Sequence, residues 1–339
     1  MIIEGTVLRG REFEPVEGRV VVEDGAVAAI EEASVDSDAI VCPAFVNAHT
    51  HIGDSIAKEA GEGLTLEELV APPDGLKHRL LREADHAELV AAMTRSLSYM
   101  EQSGTGAFVE FREGGVDGVE AIRAALEGSG LESVVLGRGT VEAMERADGF
   151  GASGANDADF VAERRVTREA GKRFGIHAGE VDSADINPAL DLDPDFLVHM
   201  VHAEELHMDR VADSEIPVVV CPRSNCTTGV GRPPVEALTE RTTVALGTDN
   251  VFLNSPSMFR EMALTSQLYD LSAREILRMA TVNGAEIAGI DGGVVETGQP
   301  ARLCVLDGDS DNLCGVYDPV RAVVRRAETA DVEQVVLAG

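Results

Sequence analysis

The chain reads as an α/β protein: a (β/α)8 TIM barrel with a small β-sandwich domain built from its N- and C-terminal segments. Three observations predict this. Short apolar runs alternate with helical periodicity between about residues 42 and 290. The two ends are written in a different style, short β-like runs separated by turns. Histidines and an aspartate recur where the apolar runs stop, which is where a parallel barrel carries its chemistry.

The elements follow in order. Thr6-Val7-Leu8 begins the first strand; residues 18–22 and 26–30 form two more, joined by the Glu23-Asp24-Gly25 turn. Eight runs then read as barrel strands: 42–48, 106–111, 133–136, 149–152, 174–176, 196–198, 217–221 and 244–247. Their β-branched content and short length argue strand over helix, although the fourth is Gly-rich and has no bulky β-branched residue. Capping boxes, Thr65-x-x-Glu68 and Ser272-x-x-Glu275, mark two helix starts. Residues 301–306, 320–325 and 334–337 read as strands returning to the first part. This divides the chain into a composite β-domain, 1–41 with 291–339, and a barrel, 42–290.

Composition excludes several classes. The apolar fraction of 44% supports a large core. No apolar run approaches the length of a membrane span, and the N-terminus lacks a basic region followed by an apolar stretch. Five widely spaced cysteines without a CxxC pair argue for small core hydrophobes in a reducing cytoplasm rather than a disulfide framework. Sixty acidic against 28 basic residues give a net charge of −32, spread along the whole chain. Such a field repels nucleic acid and anionic membranes and suits a salt-rich, halophilic cytoplasm. A small-molecule substrate is the expected partner, and a homo-oligomer is left open.

The central motif is Phe45-Val46-Asn47-Ala48-His49-Thr50-His51. Side chains two apart share a strand face, so His49 and His51 aim at one point. His177 ends the fifth run, His199 the sixth and Asp249 the eighth. Three imidazoles and a carboxylate suit one divalent metal per chain, Zn²⁺ first and Fe²⁺ as the alternative, with a position left for water. Glu180, three residues beyond His177, is placed to move a proton, and His199 to hydrogen-bond the water. His78, His86 and His207 lie in polar, helix-like stretches and are expected at the surface.

These segments resemble the amidohydrolase superfamily of metal-dependent barrel hydrolases, within it the deaminase and chlorohydrolase branch and its short archaeal chlorohydrolase-like members. The resemblance to the branch rests on Pro43-Ala44-Phe45-Val46-Asn47-Ala48-His49-Thr50-His51, His177-Ala178-Gly179-Glu180, His199-Met200-Val201-His202, Cys221-Pro222-Arg223-Ser224-Asn225 and Leu246-Gly247-Thr248-Asp249-Asn250, and that to the archaeal members on Phe108-Val109-Glu110-Phe111-Arg112-Glu113-Gly114-Gly115. It implies His49, His51, His177 and Asp249 as ligands of one metal, with Glu180, His199 and Asp249 catalytic. It also implies a mononuclear site, because the fourth run has no lysine to bridge a second metal. The activity implied is hydrolytic deamination of an amino-substituted N-heterocycle, with hydrolysis of a cyclic amide or a carbon–halogen bond as alternatives. A barrel reduced to a binding or assembly module would lose ligands first, and none is lost here.

The substrate side is less explicit. Arg112 and Glu113 end the second run, Arg138 follows the third, and Arg223 and Asn225 follow the seventh. Asn250 stands beside Asp249. Guanidinium groups converging on one pocket would suit an anionic substrate, unless each pairs with a nearby Glu such as Glu110 or Glu113. Residues 64–81, with Pro72-Pro73 in the middle, read as a lid.

The charge makes one prediction independent of the fold. The thermal midpoint should rise between low salt and molar KCl; a midpoint that stays flat or falls would remove the inference of salt adaptation.

Overall fold

The structure is a computed structural model and describes residues 1–70 and 74–338. Nine short strands form its central sheet: β5 (Phe45–His51), β6 (Thr105–Arg112), β7 (Glu132–Gly137), β8 (Gly149–Ala152), β9 (Arg173–Ala178), β10 (Phe196–His199), β11 (Val218–Val220), β12 (Val244–Leu246) and β13 (Asp249–Asn250). All neighbours are parallel. The last two strands are one segment interrupted at Gly247-Thr248. Its first half pairs with β11 and its second with β5, so the sheet closes on itself. Helices connect successive strands, the architecture of a (β/α)8 barrel.

The closure is built locally from sequence. Asn47 Nδ2 donates to Thr248 Oγ1 (2.7 Å), and Thr248 N donates back to Asn47 Oδ1 (3.0 Å). Gly247 permits the approach: a Cβ there would lie 2.7 Å from His49 Cβ and 2.9 Å from His49 N. Opposite, the β5–β6 register shifts between Asn47 and Thr50, a bulge that turns the intervening His49. Below the mouth, Phe111 forms an apolar floor, its ring 4.5 Å from that of His49, 5.0 Å from His177 and 5.9 Å from Phe196.

The chain ends form a second sheet in the order β15-β14-β4-β1-β2-β3. Its strands are β1 (Ile2–Arg9), β2 (Glu14–Glu23), β3 (Ala26–Glu32), β4 (Ile40–Pro43), β14 (Leu303–Leu306) and β15 (Val332–Val336). This is a single six-stranded sheet, so the expected sandwich of two facing sheets is not formed among the described residues. Two element readings are also corrected. The apolar run 42–48 is not one strand: Ile40–Pro43 pairs with β14, and the chain passes to the barrel at Ala44, whose N–H donates to Arg302 O. Both pieces are buried, so hydrophobicity does not mark the passage. Residues 320–325 belong to a helix, Pro319–Arg325, not a strand. Asp318 caps it by accepting from Arg321 N, with Pro319 at the first turn. Val320, Ala322, Val323 and Val324 are all buried in it, which hides the helical period.

Both expected capping boxes form. Thr65 N donates to Glu68 Oε2 and Glu68 N to Thr65 Oγ1, and the Ser272–Glu275 pair is reciprocal in the same way. Cys42, Cys221 and Cys304 are buried as expected, but Cys226 and Cys314 are exposed.

A side chain at Gly247 should strike where the barrel closes. Gly247→Ala is expected to cost about 1–3 kcal/mol, the usual range for overpacking, in denaturant unfolding. An unchanged midpoint would mean that the β5 contact yields easily.

Candidate metal centre and cavity

His49 and His51 leave β5 toward the barrel axis, their rings 4.9 Å apart. His177 arrives from β9, His199 from the end of β10 and Asp249 from β13. The His49 ring lies 4.9 Å from His177 and 5.9 Å from His199. Asp249 Oδ1 stands 3.3 Å from His49 Nε2 and 3.5 Å from His51 Nε2. Nitrogens and oxygens bound to one tetrahedral ion at ~2.1 Å would be about 3.4 Å apart, so this spacing fits a shared cation. Three overlapping sets have ligand atoms mutually within 4.8 Å: His49, His177 and His199; His49, His51 and Asp249; and Glu180, His199 and Asp249.

The unpaired atoms point the same way. His49 is fully buried, yet neither ring nitrogen has a hydrogen-bond partner, and Asp249 Oδ1 has none either. Leaving buried polar atoms unmatched is costly unless something binds them. The surrounding groups set the imidazoles for that role. His177 Nδ1 lies 2.8 Å from Ala152 O, and His51 Nδ1 lies 2.8 Å from Glu113 Oε1 and 3.1 Å from Phe111 O. A ring that donates from Nδ1 presents the Nε2 lone pair to the centre. Ser224 Oγ donates to Asp249 Oδ2 (2.5 Å), leaving Oδ1 free. Donor set, spacing and orphaned atoms fit a divalent cation among these imidazoles and Asp249.

Backbone strain accompanies the site. Asp249 has φ 59° and His199 φ 80°, in the left-handed region that side-chain-bearing residues rarely enter. Electrostatics are equally unusual. Burial depresses His49, His51 and His177, taking His51 to about 3, with Lys77 adding to the effect there. Burial opposes the charge on Asp249, but the imidazoles around it hold the carboxyl well below its usual range. Burial raises Glu180, only partly countered by His199, whose Nε2 is 3.6 Å from Glu180 Oε2. The loop carrying Glu180 is held by Gly179 N donating to Asp185 Oδ1 (2.8 Å).

Above the centre lies a cavity of about 560 Å³. Of the anticipated substrate residues, Arg138 and Asn250 line it. Arg138 uses Nη1 on Glu113 Oε1 (2.9 Å), and its side chain remains 15% exposed.

The other four are not among its lining residues. Arg112 is buried in the wall: Nε donates to Gly118 O, and Nη1 sits 3.9 Å from both Glu110 and Glu113, in space that a Cβ on Gly53 would fill. Glu113 is enclosed by Lys77, Arg138 and His51. Arg223 is spent on the carbonyls of Ser255 and Ser257, facing Glu261. The Asn225 amide lies against His199 Nδ1 (3.2 Å), where it orients the ring.

Two lining residues were missed or misplaced by sequence reading. Lys77 is buried and bonded to Glu113 Oε1 (2.8 Å) and Asn250 Oδ1 (3.0 Å), with Asp54 Oδ2 at 3.4 Å. Its only signal was rarity, as one of three lysines in a chain rich in arginine. His78, expected at the surface, lines the cavity with Nε2 3.0 Å from Val70 O. His207 is also buried rather than exposed; it completes the capping box of the helix Glu205–Asp213. The lid segment reaches the cavity through Thr65, Glu67, Val70, Lys77 and His78, while Pro72 and Pro73 lie outside the described residues.

A closed parallel barrel whose strand ends converge on imidazoles and one carboxylate defines a metal-dependent barrel hydrolase. The chain belongs to the amidohydrolase family, which it matches over residues 40–189 and 161–339. It is 34% identical to a putative aminohydrolase of Methanothermobacter thermautotrophicus, over 100% of this chain and 98% of that one. It is 27% identical to a 5-methylthioadenosine/S-adenosylhomocysteine deaminase of Halobacterium salinarum, over 94% of this chain and 85% of that one. The fold is shared with a zinc-bound adenosine deaminase from Xanthomonas campestris, with TM-score 0.83, 20% identity and coverage of 100% and 91%.

The imidazole shifts carry a pH prediction for metal-free protein. Unfolded, His51 takes up a proton near 6.5; folded, it resists to about 3. At His51 the unfolded state binds more protons between these values, so its contribution to stability falls as pH drops from 6.5 toward 3, against the opposite contribution of Asp54, Glu110 and Glu261, which burial raises to about 7, 8 and 7. The urea midpoint of a His51→Asn variant should therefore fall less over this window than that of the unmodified chain, and an equal change in both would contradict it.

Proposed function

We propose that the chain is a mononuclear hydrolytic deaminase that releases ammonia from an amino-substituted N-heterocycle. The observations that carry this reading are the grouping of His49 with His51 and Asp249 on one side and with His177 and His199 on the other, and the unmatched donor atoms of His49 and Asp249. A divalent cation, zinc first, would be held by His49, His51, His177 and Asp249, and when bound it supplies Lewis acidity that activates water near neutral pH. Family membership and the named deaminase relatives support the reaction class.

The chain's own residues supply the proton work. Glu180 Oε2 faces the same space as His199 Nε2 and Asp249, and burial raises its proton affinity, so the carboxylate is a better acceptor than an exposed one. It accepts a proton from the attacking water and returns it to the departing amine. His199, held by Asn225, orients the water and the developing oxyanion through Nε2. Asp249 contributes negative charge that helps to draw the proton from water.

Substrate recognition falls on Arg138 and Asn250. No Phe, Tyr or Trp is found among the described lining residues. We read the guanidinium of Arg138 as favouring an anionic substituent on the substrate. The acidic surface fits work in a salt-rich cytoplasm.

The direct test is an ammonia-release screen of zinc-loaded protein in high salt over amino-purines, amino-pyrimidines, amino-triazines and pterins. Glu180→Gln should lower kcat by about 10²–10⁴-fold, the usual worth of a positioned acid–base group, while zinc content stays the same. Retained turnover would remove Glu180 from the proton path. Arg138→Gln should lower kcat/KM more for anionic substrates than for neutral ones; equal loss for both would leave Arg138 only its brace on Glu113.

A further inference from the structure

We propose that Lys77 is a positioning residue that couples the seating of the helix Leu76–Glu83 to the order of the metal-ligating side chains His51 and Asp249. The proposal rests on the assignment of those two residues as ligands.

The helix belongs to the cap over the barrel mouth. Its apolar side joins a small separate cluster, Leu76 and Leu80 against Ala57, Leu69 and Phe252, outside the barrel core. Lys77 is its polar anchor. The ammonium reaches inward to two places at the barrel mouth, the residue after β6 and the end of β13. On one side it meets Glu113 Oε1, the oxygen that lies 2.8 Å from His51 Nδ1. On the other it donates to Asn250 Oδ1, the residue directly after Asp249. One group on the cap therefore braces the neighbours of two ligands from the first and eighth strands. Asp54, whose carboxylate oxygens are buried without hydrogen-bond partners, completes the surroundings at 3.4 Å.

The brace serves orientation rather than structure alone. With Lys77 and Arg138 both on Glu113 Oε1, this carboxylate is fixed in place, so it can accept a hydrogen bond from His51 Nδ1 and hold Nε2 toward Asp249. If seating the helix improves metal binding, metal binding must favour the seated helix by the same factor, because coupling between two equilibria is reciprocal.

Two measurements on the full chain test this, neither of which needs turnover. Zinc affinity is measured by chelator competition, and hydrogen exchange of the Leu76–Glu83 amides is followed with and without zinc. In the unmodified chain, zinc should slow that exchange. Lys77→Met should weaken zinc about 10- to 100-fold, the range for groups that support metal ligands, and abolish the zinc-dependent protection. It should also change the visible d–d spectrum of cobalt-substituted protein, which a helix with a purely structural role would leave alone.

Lys77→Met also leaves buried carboxylates without their cation and can fail to fold. Asn250→Ala cuts only the arm toward Asp249, keeps the charge balance, and should show a weaker form of the same effects. Unchanged zinc affinity with full protection in a folded variant overturns the coupling while leaving the metal assignment intact. No zinc binding by the unmodified chain overturns both.

Discussion

The structure depends on the close contact between the first barrel strand and the interrupted eighth. Asn47 and Thr248 exchange two hydrogen bonds, and Gly247 lets the backbone pass against His49 with no room for a side chain. That seam closes the barrel and brings the His49/His51 pair to Asp249 in the same step. The bulge on β5 and the left-handed backbone at Asp249 are local costs of the same seam. Such strain persists only where surrounding contacts over-determine it.

Around the seam, the protein buries polar groups that a purely structural core would avoid. His49 carries two unmatched nitrogens in a fully buried position, and Phe111 gives the imidazoles an apolar floor in place of hydrogen-bond partners. The groups just outside are satisfied: His177 by a carbonyl, His51 by Glu113, Asp249 Oδ2 by Ser224, His199 by Asn225. The outer contacts fix ring orientation, and the inner lone pairs stay free. This division between a braced periphery and an unmatched centre is what a cation site requires.

Charge is arranged in two opposed layers. The chain as a whole carries −32. Beside the centre, Lys77, Arg112 and Arg138 crowd around Glu113, two of them on a single oxygen. In low dielectric the attraction is stronger but desolvation offsets it, and removing one partner costs more than breaking a surface pair because it leaves a buried charge unmatched. The few lysines of the chain are thus not all solvent-facing: one is buried at the barrel mouth.

Much of the site was legible in the sequence because strand geometry is periodic. Alternation places His49 and His51 on one face, and eight short apolar runs with helices between them admit few architectures. The positions of His177, His199 and Asp249 follow from where such runs end. Side-chain partners were not legible, since they depend on which loops meet above the barrel. Arg112 and Arg138 look equivalent in sequence, yet one is locked in the wall by Gly118 and Gly53 and the other opens to the cavity. Likewise, Val320 to Val324 carries no readable period because nearly every side of that helix is buried. The sequence by itself determined the barrel and the residues that converge at its mouth, because both follow from local repeat. Only the tertiary structure decided that Lys77 joins the site and Arg112 and Arg223 do not, because contact between distant loops is set by packing and leaves no trace in local order.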